Sequence, residues 1–272
     1  MEDRVTIDLS GGVADVRLVR AEKLNALDPA MFGALIAAGE RLKAEAGLRA
    51  VVLSGEGRAF CAGLDAGNFM RMASASDRLT LEAITGGERA HERTPAGANR
   101  AQQAVMIWRE LPVPVIAAVH GGAYGGGFQL CLAADLRFVA PGAQLSVAEV
   151  RWGLVPDMAG MVLMRGLVRE DVARELTFSG RVFDGREALA LGLATRVCDD
   201  PRGEALTFAR EIAARSPDAI RAAKRLFALA AVGDPRAILE AETDEQKKLI
   251  GSPNQREAVL ANQEKRAPRF AD

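Results

Sequence analysis

The stretch from Val115 to Asp135 constrains the fold of this chain more than any other part of the sequence. Val115–Val119 is short, continuously apolar and preceded by two prolines, which is typical of a strand buried on both faces. Five of the seven residues in Gly121–Gly127 are glycine, and an apolar segment whose first turn contains Gln129 follows them. The stretch therefore predicts a buried strand, a tight turn and a helix, in that order.

The predicted turn has the features of a site for a negatively charged oxygen. Glycine lets the backbone approach a ligand closely, and a helix N-terminus adds unpaired N–H donors and a partial positive charge. The spacing matches neither G-x-G-x-x-G nor G-x-x-x-x-G-K-[ST], so phosphate binding is disfavoured. Two interpretations stay open, an oxyanion hole that stabilises charge on a reacting carbonyl and a tight turn without chemistry.

Composition and charge argue against several classes of protein. The 272 residues carry a formal net charge of -1, and the scattered basic residues form no footprint for nucleic acid. Cys61, Cys131 and Cys198 lie far apart without C-x-x-C spacing, so neither a disulfide nor a metal site is expected. No secretory leader is recognisable, and no window approaches about 18 consecutive apolar residues. We expect a soluble, cytoplasmic protein that binds neither nucleic acid nor membrane.

The first part of the chain predicts strands and one well-marked helix. Val5–Leu9 and Val13–Leu18 alternate apolar residues around a Gly-Gly pair, which indicates a hairpin. Asp28 as N-cap and Pro29 at the first helical position mark the start of a helix. Ala50–Ser54 reads as a short buried strand, followed by a second glycine-containing loop.

The remainder predicts further strands and then helices. Ala66–Gln103 has a weak pattern and is either a partly helical cap over a pocket or a solvated excursion. Leu136–Ala140 and Gln144–Val147 are predicted strands. From Arg202 onward the pattern is helical, with helix starts at Ser216-Pro217 and Asp234-Pro235. Alternating strands and helices predict an α/β fold whose mixed or parallel sheet has helices outside it.

Several segments taken together resemble the crotonase superfamily, the enoyl-CoA hydratase/isomerase family. They occur in family order and span most of the chain. The segments are Lys23–Leu27, Gly57–Asp65, Ala117–Asp135, Glu149–Asp157 and Ser179–Val197, and the ending Glu264–Phe270 is also similar.

The resemblance implies a spiral core of ββα units and a helical C-terminal region, which we place at residues 1–200 and 201–272. It implies a homotrimer or a hexamer of paired trimers. It also implies a coenzyme A thioester as substrate and no metal or redox cofactor. The backbone N–H groups of Leu64 and Gly126 would form the oxyanion hole. The residues implied near CoA are Lys23, Ala26, Ala62, Asp65, Lys265 and Phe270.

Two carboxylates are candidates for moving protons. Glu149 lies among apolar neighbours, where burial would raise its pKa, although a structural salt bridge with Arg151 or another basic residue is an alternative. Asp157 follows eight residues later and is either a second acid or base or a helix N-cap. His120 lacks an evident acid partner and is expected to form a structural hydrogen bond, and Cys61 has no base beside it.

One position departs from the family pattern. Hydratases of the family resemble one another in using two glutamates, and the first of these positions holds Gln129 here. An amide cannot exchange a proton in this pH range. We therefore expect double-bond isomerisation in fatty-acid metabolism, with Glu149 as principal base, Asp157 as second acid or base or orienting group, and Gln129 holding substrate or water. The alternatives are a hydratase in which Asp157 replaces the missing glutamate, and a non-catalytic acyl-CoA-binding subunit.

Overall fold

A six-stranded sheet forms the centre of the computed structural model, which describes residues 4–74, 81–87 and 92–272. The strands are β1 (Val5–Ser10), β2 (Val13–Leu18), β3 (Ala50–Gly55), β4 (Val115–Val119), β5 (Gly122–Tyr124), β6 (Leu136–Val139), β7 (Gln144–Ser146), β8 (Phe183–Asp184) and β9 (Arg196–Val197). The helices are α1 (Pro29–Lys43), α2 (Ala66–Ser74), α3 (Leu81–Thr85), α4 (Arg100–Arg109), α5 (Gly126–Leu132), α6 (Gly160–Met164), α7 (Glu170–Ser179), α8 (Gly185–Leu191), α9 (Pro201–Ala213), α10 (Pro217–Ala230), α11 (Pro235–Leu249) and α12 (Pro253–Glu264). Ala21–Lys23 and Glu149–Trp152 form short 3-10 helices.

The register of the large sheet brings three loops to one edge. Its strand order is β1-β2-β3-β4-β6-β9, in which β1 and β2 form the expected antiparallel hairpin and the other pairs are parallel. Val13 pairs with Ala50 and Leu18 with Gly55, so β2 and β3 begin and end together. The loops that follow β2, β3 and β4 therefore leave from the same edge, where the predicted functional residues lie.

The second sheet contains a strand that the sequence did not reveal. β5 lies inside the glycine-rich turn and pairs in parallel with β7, which pairs antiparallel with β8. A run containing so many glycines has little intrinsic preference for a strand, and its pairing comes from a segment distant in sequence. The tight turn predicted after β4 is therefore partly a short strand.

Apolar side chains cover both faces of the central strands. Every residue of β4 is fully buried, which confirms the prediction of a doubly buried strand. One cluster includes side chains of α1 and α4, and the other places Ala205 and Ala209 of α9 against Val52, Ile116 and Phe138. The α/β class is confirmed. Helix α9, which follows residue 200, packs on the sheet. The division of the chain into residues 1–200 and 201–272 stays a prediction.

The sequence predicted the starts of α1, α10 and α11, and the structure differs from the prediction only in the cap of α10. Asp28 accepts a hydrogen bond from the Met31 N–H, and Asp234 accepts from two N–H groups at the start of α11. Pro217 begins α10, but the Ser216 side chain forms no capping hydrogen bond. None of the helices in the described ranges combines the length and apolar character that a membrane crossing requires.

The C-terminal tail lies at the edge of the sheet where the parallel strands begin. Asp272 forms ion pairs with Arg49, which directly precedes β3, and with Arg221 of α10. The backbone of Ala271 exchanges two hydrogen bonds with the Asn254 side chain. The tail is therefore attached across the sheet from the loops that follow β2, β3 and β4.

Candidate active site

Two glycine-containing loops lie backbone against backbone at the carboxyl edge of the sheet. The Cys61 N–H donates to the Gly122 carbonyl at 3.0 Å, and the Tyr124 N–H donates to the Cys61 carbonyl at 3.1 Å. A Cβ on Gly63 would lie 2.4 Å from the Tyr124 carbonyl oxygen, and one on Gly127 would lie 2.2 Å from the Cys61 carbonyl oxygen. These positions require glycine because the backbones approach so closely.

The two expected oxyanion donors lie in these adjoining loops. The Gly126 nitrogen is 3.5 Å from where a Cβ on Gly63 would be, and Leu64 is the next residue along the chain. Neither the Leu64 N–H nor the Gly126 N–H donates to another group within the part of the chain that the structure describes. The geometry thus leaves two neighbouring backbone donors available for a carbonyl oxygen that gains charge.

Glu149 presents one bonded and one unbonded oxygen beside this turn. The residue is only 9% exposed, and its Oε1 is 3.1 Å from the Cβ position of Gly125. Oε1 accepts from the Gln129 Nε2 at 2.6 Å, whereas buried Oε2 has no hydrogen-bond partner among the described residues. The alternative of a structural salt bridge with Arg151 is wrong. Burial raises the pKa of Glu149, and the nearby charge of Asp157 raises it further.

Gln129 connects the base to the following loop. Its side chain is 1% exposed, and its Oε1 accepts from the N–H groups of Met158 at 2.9 Å and Gly160 at 2.8 Å. Both acceptor positions of the amide are therefore occupied, and one N–H is directed to Glu149. The amide oxygen is therefore engaged by the protein itself, and only the second N–H of the amide is left for substrate or water. A contact of Gln129 with substrate or water stays a prediction.

Asp157 lies one residue before this anchored segment. Helix α6 begins at Gly160 with Ala159 at its N-cap position, so the alternative that Asp157 caps a helix is wrong. The Asp157 side chain reaches solvent, yet the protein packed around the carboxyl group raises its pKa. Two carboxyl groups with raised pKa values therefore lie close to the two free N–H donors, an arrangement suited to accepting and returning protons.

Four of the six residues implied near CoA lie at the same edge. The Ala62 N–H donates to the Leu24 carbonyl at 2.9 Å, which places Ala62 next to the loop that carries Lys23 and Ala26. Lys23 is exposed at this edge, and its contact with CoA stays a prediction. Asp65 instead joins the loop to its surroundings. Its carboxylate accepts from the Gly67 N–H at 2.8 Å and from Arg20 at 2.6 Å.

The pKa of Asp65 follows from these contacts. Burial opposes its charge, but the Gly67 N–H and Arg20 outweigh that effect and lower the pKa. The carboxylate is therefore held by the protein rather than left for ligand.

The other two implied residues lie elsewhere in this chain. Lys265 follows α12 in a left-handed conformation, and Phe270 directly precedes the tail residues that dock near Arg49 at the opposite edge of the sheet. One chain by itself does not bring Lys265 and Phe270 to the loops around Lys23. Their contribution to CoA binding stays a prediction.

Asn25 is a supporting residue that sequence reasoning did not single out. It is fully buried with φ 56°, and its Nδ2 donates to the carbonyls of Glu56 and Ala59. Its Oδ1 accepts from the Arg20 N–H, so one side chain connects the loops after β2 and β3. Asparagine tolerates left-handed dihedrals better than most residues, which was the available signal.

The remaining reactive side chains have structural roles. Burial raises the pKa of the Cys61 thiol to about 12, and its Sγ donates to the Asn25 carbonyl at 3.1 Å. His120 Nε2 is 2.9 Å from the Gly57 carbonyl, the expected structural hydrogen bond. Across the described ranges, no group of three or more metal-ligating side chains could hold a metal ion.

Comparison with known proteins identifies the family. A family model described as enoyl-CoA hydratase/isomerase matches residues 8–272. The chain belongs to the enoyl-CoA hydratase/isomerase family. It is 35% identical over 268 residues to a Rhodobacter capsulatus protein named probable enoyl-CoA hydratase, covering 98% of this chain and 97% of that protein. It is therefore an acyl-CoA enzyme of this family with the crotonase fold.

Some relatives of this chain are named hydratases and others are named isomerases. Human mitochondrial Delta(3,5)-Delta(2,4)-dienoyl-CoA isomerase is 34% identical over 216 residues, which cover 78% of this chain and 64% of that protein. The crystal structure of an enoyl-CoA hydratase from Bacillus anthracis superposes with a TM-score of 0.86 at 28% identity, covering 98% of each chain. Family membership therefore gives the substrate class of the enzyme but leaves hydration and isomerisation both open.

Proposed function

We propose that this enzyme moves a double bond within an enoyl- or dienoyl-CoA thioester. The observation that carries the proposal is the state of Gln129, whose amide oxygen is occupied by two backbone N–H groups and whose Nε2 binds Glu149. No second carboxylate stands at that position to activate water together with Glu149. Buried, unbonded Glu149 Oε2 is suited to a single proton shuttle.

The proposed reaction uses the groups described above. The thioester carbonyl accepts from the Leu64 and Gly126 N–H groups, and ionised Glu149 takes a proton from C2. The electron pair of the broken C–H bond forms an enolate whose charge lies on the carbonyl oxygen, where the two donors stabilise it. In an enoyl-CoA, Glu149 returns the same proton at C4 and is ionised again. In a dienoyl-CoA, protonated Asp157 gives its own proton to the far end of the diene, and transfer of one proton from Glu149 to Asp157 through solvent restores both groups. The substrate loses one proton and gains one, and the proposal needs no metal or redox group.

The deciding experiment compares wild-type protein with Glu149→Gln on 3-enoyl-, 2-enoyl- and 3,5-dienoyl-CoA, read by ultraviolet absorbance and product mass. We expect bond migration without change of mass and a loss of about 10² to 10⁴-fold in kcat for the variant, the range for removing one acid or base. Glu242→Gln, on the exposed surface of α11, is the matched control and should behave as wild type. Equal activity of the two variants would contradict the proposal.

Hydration is the second candidate because relatives such as the Rhodobacter capsulatus protein are named hydratases. It would require Asp157 to replace the missing glutamate as the partner of Glu149. A product heavier by one water from 2-enoyl-CoA would favour this candidate, and loss of that product in Asp157→Asn would assign the second acid. Binding of acyl-CoA without any turnover would instead indicate a non-catalytic subunit.

We also propose that the protein assembles as a trimer or a pair of trimers. Large apolar side chains are exposed on the distal helices and in the turn between α10 and α11, with Phe227 and Val232 each 77% and Leu239 62% exposed. Surface of this kind is costly to leave in water and is typical of an interface. Light scattering coupled to size exclusion gives the mass directly, and a monomer at micromolar concentration would contradict this assembly.

A further inference from the structure

Two aromatic side chains that the proposed mechanism does not use stack near the site. The rings of Phe69 and Trp152 have centroids 4.4 Å apart and planes inclined by 22°. Phe69 is half-buried, whereas Trp152 is 61% exposed. The stack shields one face of each ring from water, and the exposed part of Trp152 leaves the pair open to a bound group.

The two rings lie on the elements next to the proposed oxyanion donor and the proposed base. Phe69 belongs to α2, which begins two residues after Leu64, and Trp152 is three residues after Glu149 in the same 3-10 helix. The stack therefore joins the element that follows an oxyanion donor to the element that carries the base. A thioester held by Leu64 with its C2 at Glu149 extends its acyl group between those elements.

Apolar side chains lie at the oxyanion turn and close to the stacked residues in the chain. Near the oxyanion turn, Met158 Sδ and Leu27 Cδ1 lie 2.7 and 2.8 Å from the Cβ position of Gly126. Further out, Val155 is 68% exposed and Met70 is 70% exposed. These side chains suit a hydrocarbon acyl group and offer nothing that would recognise a charged one.

We propose that the Phe69–Trp152 stack selects the acyl group by length and favours short acyl chains. A short acyl group ends before the paired rings, whereas a long saturated chain must separate them to pass between α2 and the 3-10 helix. The inference rests on the thioester position in the proposed function but not on the direction of proton transfer. Separating an aromatic pair reduces affinity by up to about tenfold.

The test measures dissociation constants for butanoyl-CoA and dodecanoyl-CoA by calorimetry. Both probes are saturated, so neither can react. We expect wild type to prefer butanoyl-CoA, and Trp152→Ala and Phe69→Ala to shift the ratio of the two constants about tenfold toward dodecanoyl-CoA. Trp152→Phe keeps a ring in place and should retain most of the wild-type ratio. Phe178→Ala, which removes a 74% exposed ring from α7, is the matched control.

The outcomes distinguish selection of the acyl length from loss of folding in the variants and from failure of the proposed isomerisation. An unchanged ratio in both alanine variants, or an equal loss of affinity for both probes, would overturn the proposal, and thermal melting would show whether the variants are folded. A shifted ratio in a protein that turns over no enoyl-CoA would support selection and contradict the proposed isomerisation. Isomerisation by a protein whose ratio of dissociation constants is unchanged in the alanine variants would support the proposed reaction and contradict selection by the stack.

Discussion

At the level of single residues, the two oxygens of Glu149 differ in a way that matters for chemistry. Oε1 is fixed by Gln129, and Oε2 is buried without a partner among the described residues. A buried carboxylate with one unsatisfied oxygen is costly unless that oxygen meets a ligand. Oε2 is therefore the atom to which we assign the proton transfer.

The pH profile should show the raised pKa of Glu149. The base must be ionised to take a proton, so kcat/KM falls as the pH decreases through its pKa. Because burial and then the charge of Asp157 raise that pKa, the acid limb should lie above the value of about 4.3 for an ordinary glutamate. Initial rates on 3-enoyl-CoA between pH 4.5 and 9 give the limb. A profile flat down to pH 4.5 would contradict the assignment.

Gln129→Glu should move this limb to still higher pH. The new side chain can keep one oxygen on the Met158 and Gly160 N–H groups, which places its other oxygen where the 2.6 Å hydrogen bond to Glu149 now lies. Two carboxylates this close share a proton, and the pKa of the pair rises. We expect slower isomerisation at pH 7 that partly recovers at pH 9.

The control for that change is Gln246→Glu on the exposed face of α11. It adds the same charge away from the site and should leave the profile unchanged. If Gln129→Glu had a wild-type profile, Gln129 would not control the ionisation of Glu149.

The residues of the site were predictable to different degrees. The apolar context of Glu149 was enough to predict that its carboxyl group is buried. The role of Gln129 was not predictable, because its amide oxygen accepts from the N–H groups of two residues about 30 positions further along the chain. The contact between Phe69 and Trp152 likewise joins two distant segments, and neither ring belongs to a recognisable motif.

At the level of elements, the two glycine-containing loops determine where the oxyanion donors lie. Gly63→Ala should destabilise the protein and abolish turnover, because its Cβ would lie 2.4 Å from the Tyr124 carbonyl oxygen and its φ is 82°. Overpacking and backbone strain of this kind each cost about 1–3 kcal/mol. Thermal melting and kcat measure the two effects.

Gly142→Ala is the matched control for this change. A Cβ on Gly142 meets nothing within 4 Å, and the substitution should be nearly neutral. Equal behaviour of the two variants would show that the close approach of the loops does not matter.

Elements marked by local signals were predicted, and those formed by distant pairing were not. The hairpin and the start of α1 have turn and capping residues that act within a few positions. β5, β8 and β9 have two or three residues each, too few for a periodic pattern. Ala66–Gln103 was predicted to be partly helical, and it contains α2 and α3. Residues 75–80 and 88–91 of that segment lie outside the described ranges.

At the level of the whole molecule, the buried carboxyl group of Glu149 should reduce stability at neutral pH. The folded protein holds a proton on Glu149 to higher pH than the unfolded chain does, because burial raises its pKa. Between the unfolded and folded pKa values the native state binds more protons, so the free energy of unfolding falls as the pH rises through that window. Each unit of difference corresponds to about 1.4 kcal/mol.

Glu149→Gln should therefore unfold at higher denaturant concentration than wild type at pH 8, with the difference shrinking toward pH 4. The amide can still accept from Gln129, and its other group occupies the position of an oxygen without a partner. Urea titrations at fixed protein concentration measure the difference, since assembly would make stability depend on concentration. Loss of activity together with a gain of stability at pH 8 is the result expected of a functional charge. An equal destabilisation at both pH values would show that Glu149 mainly supports the fold.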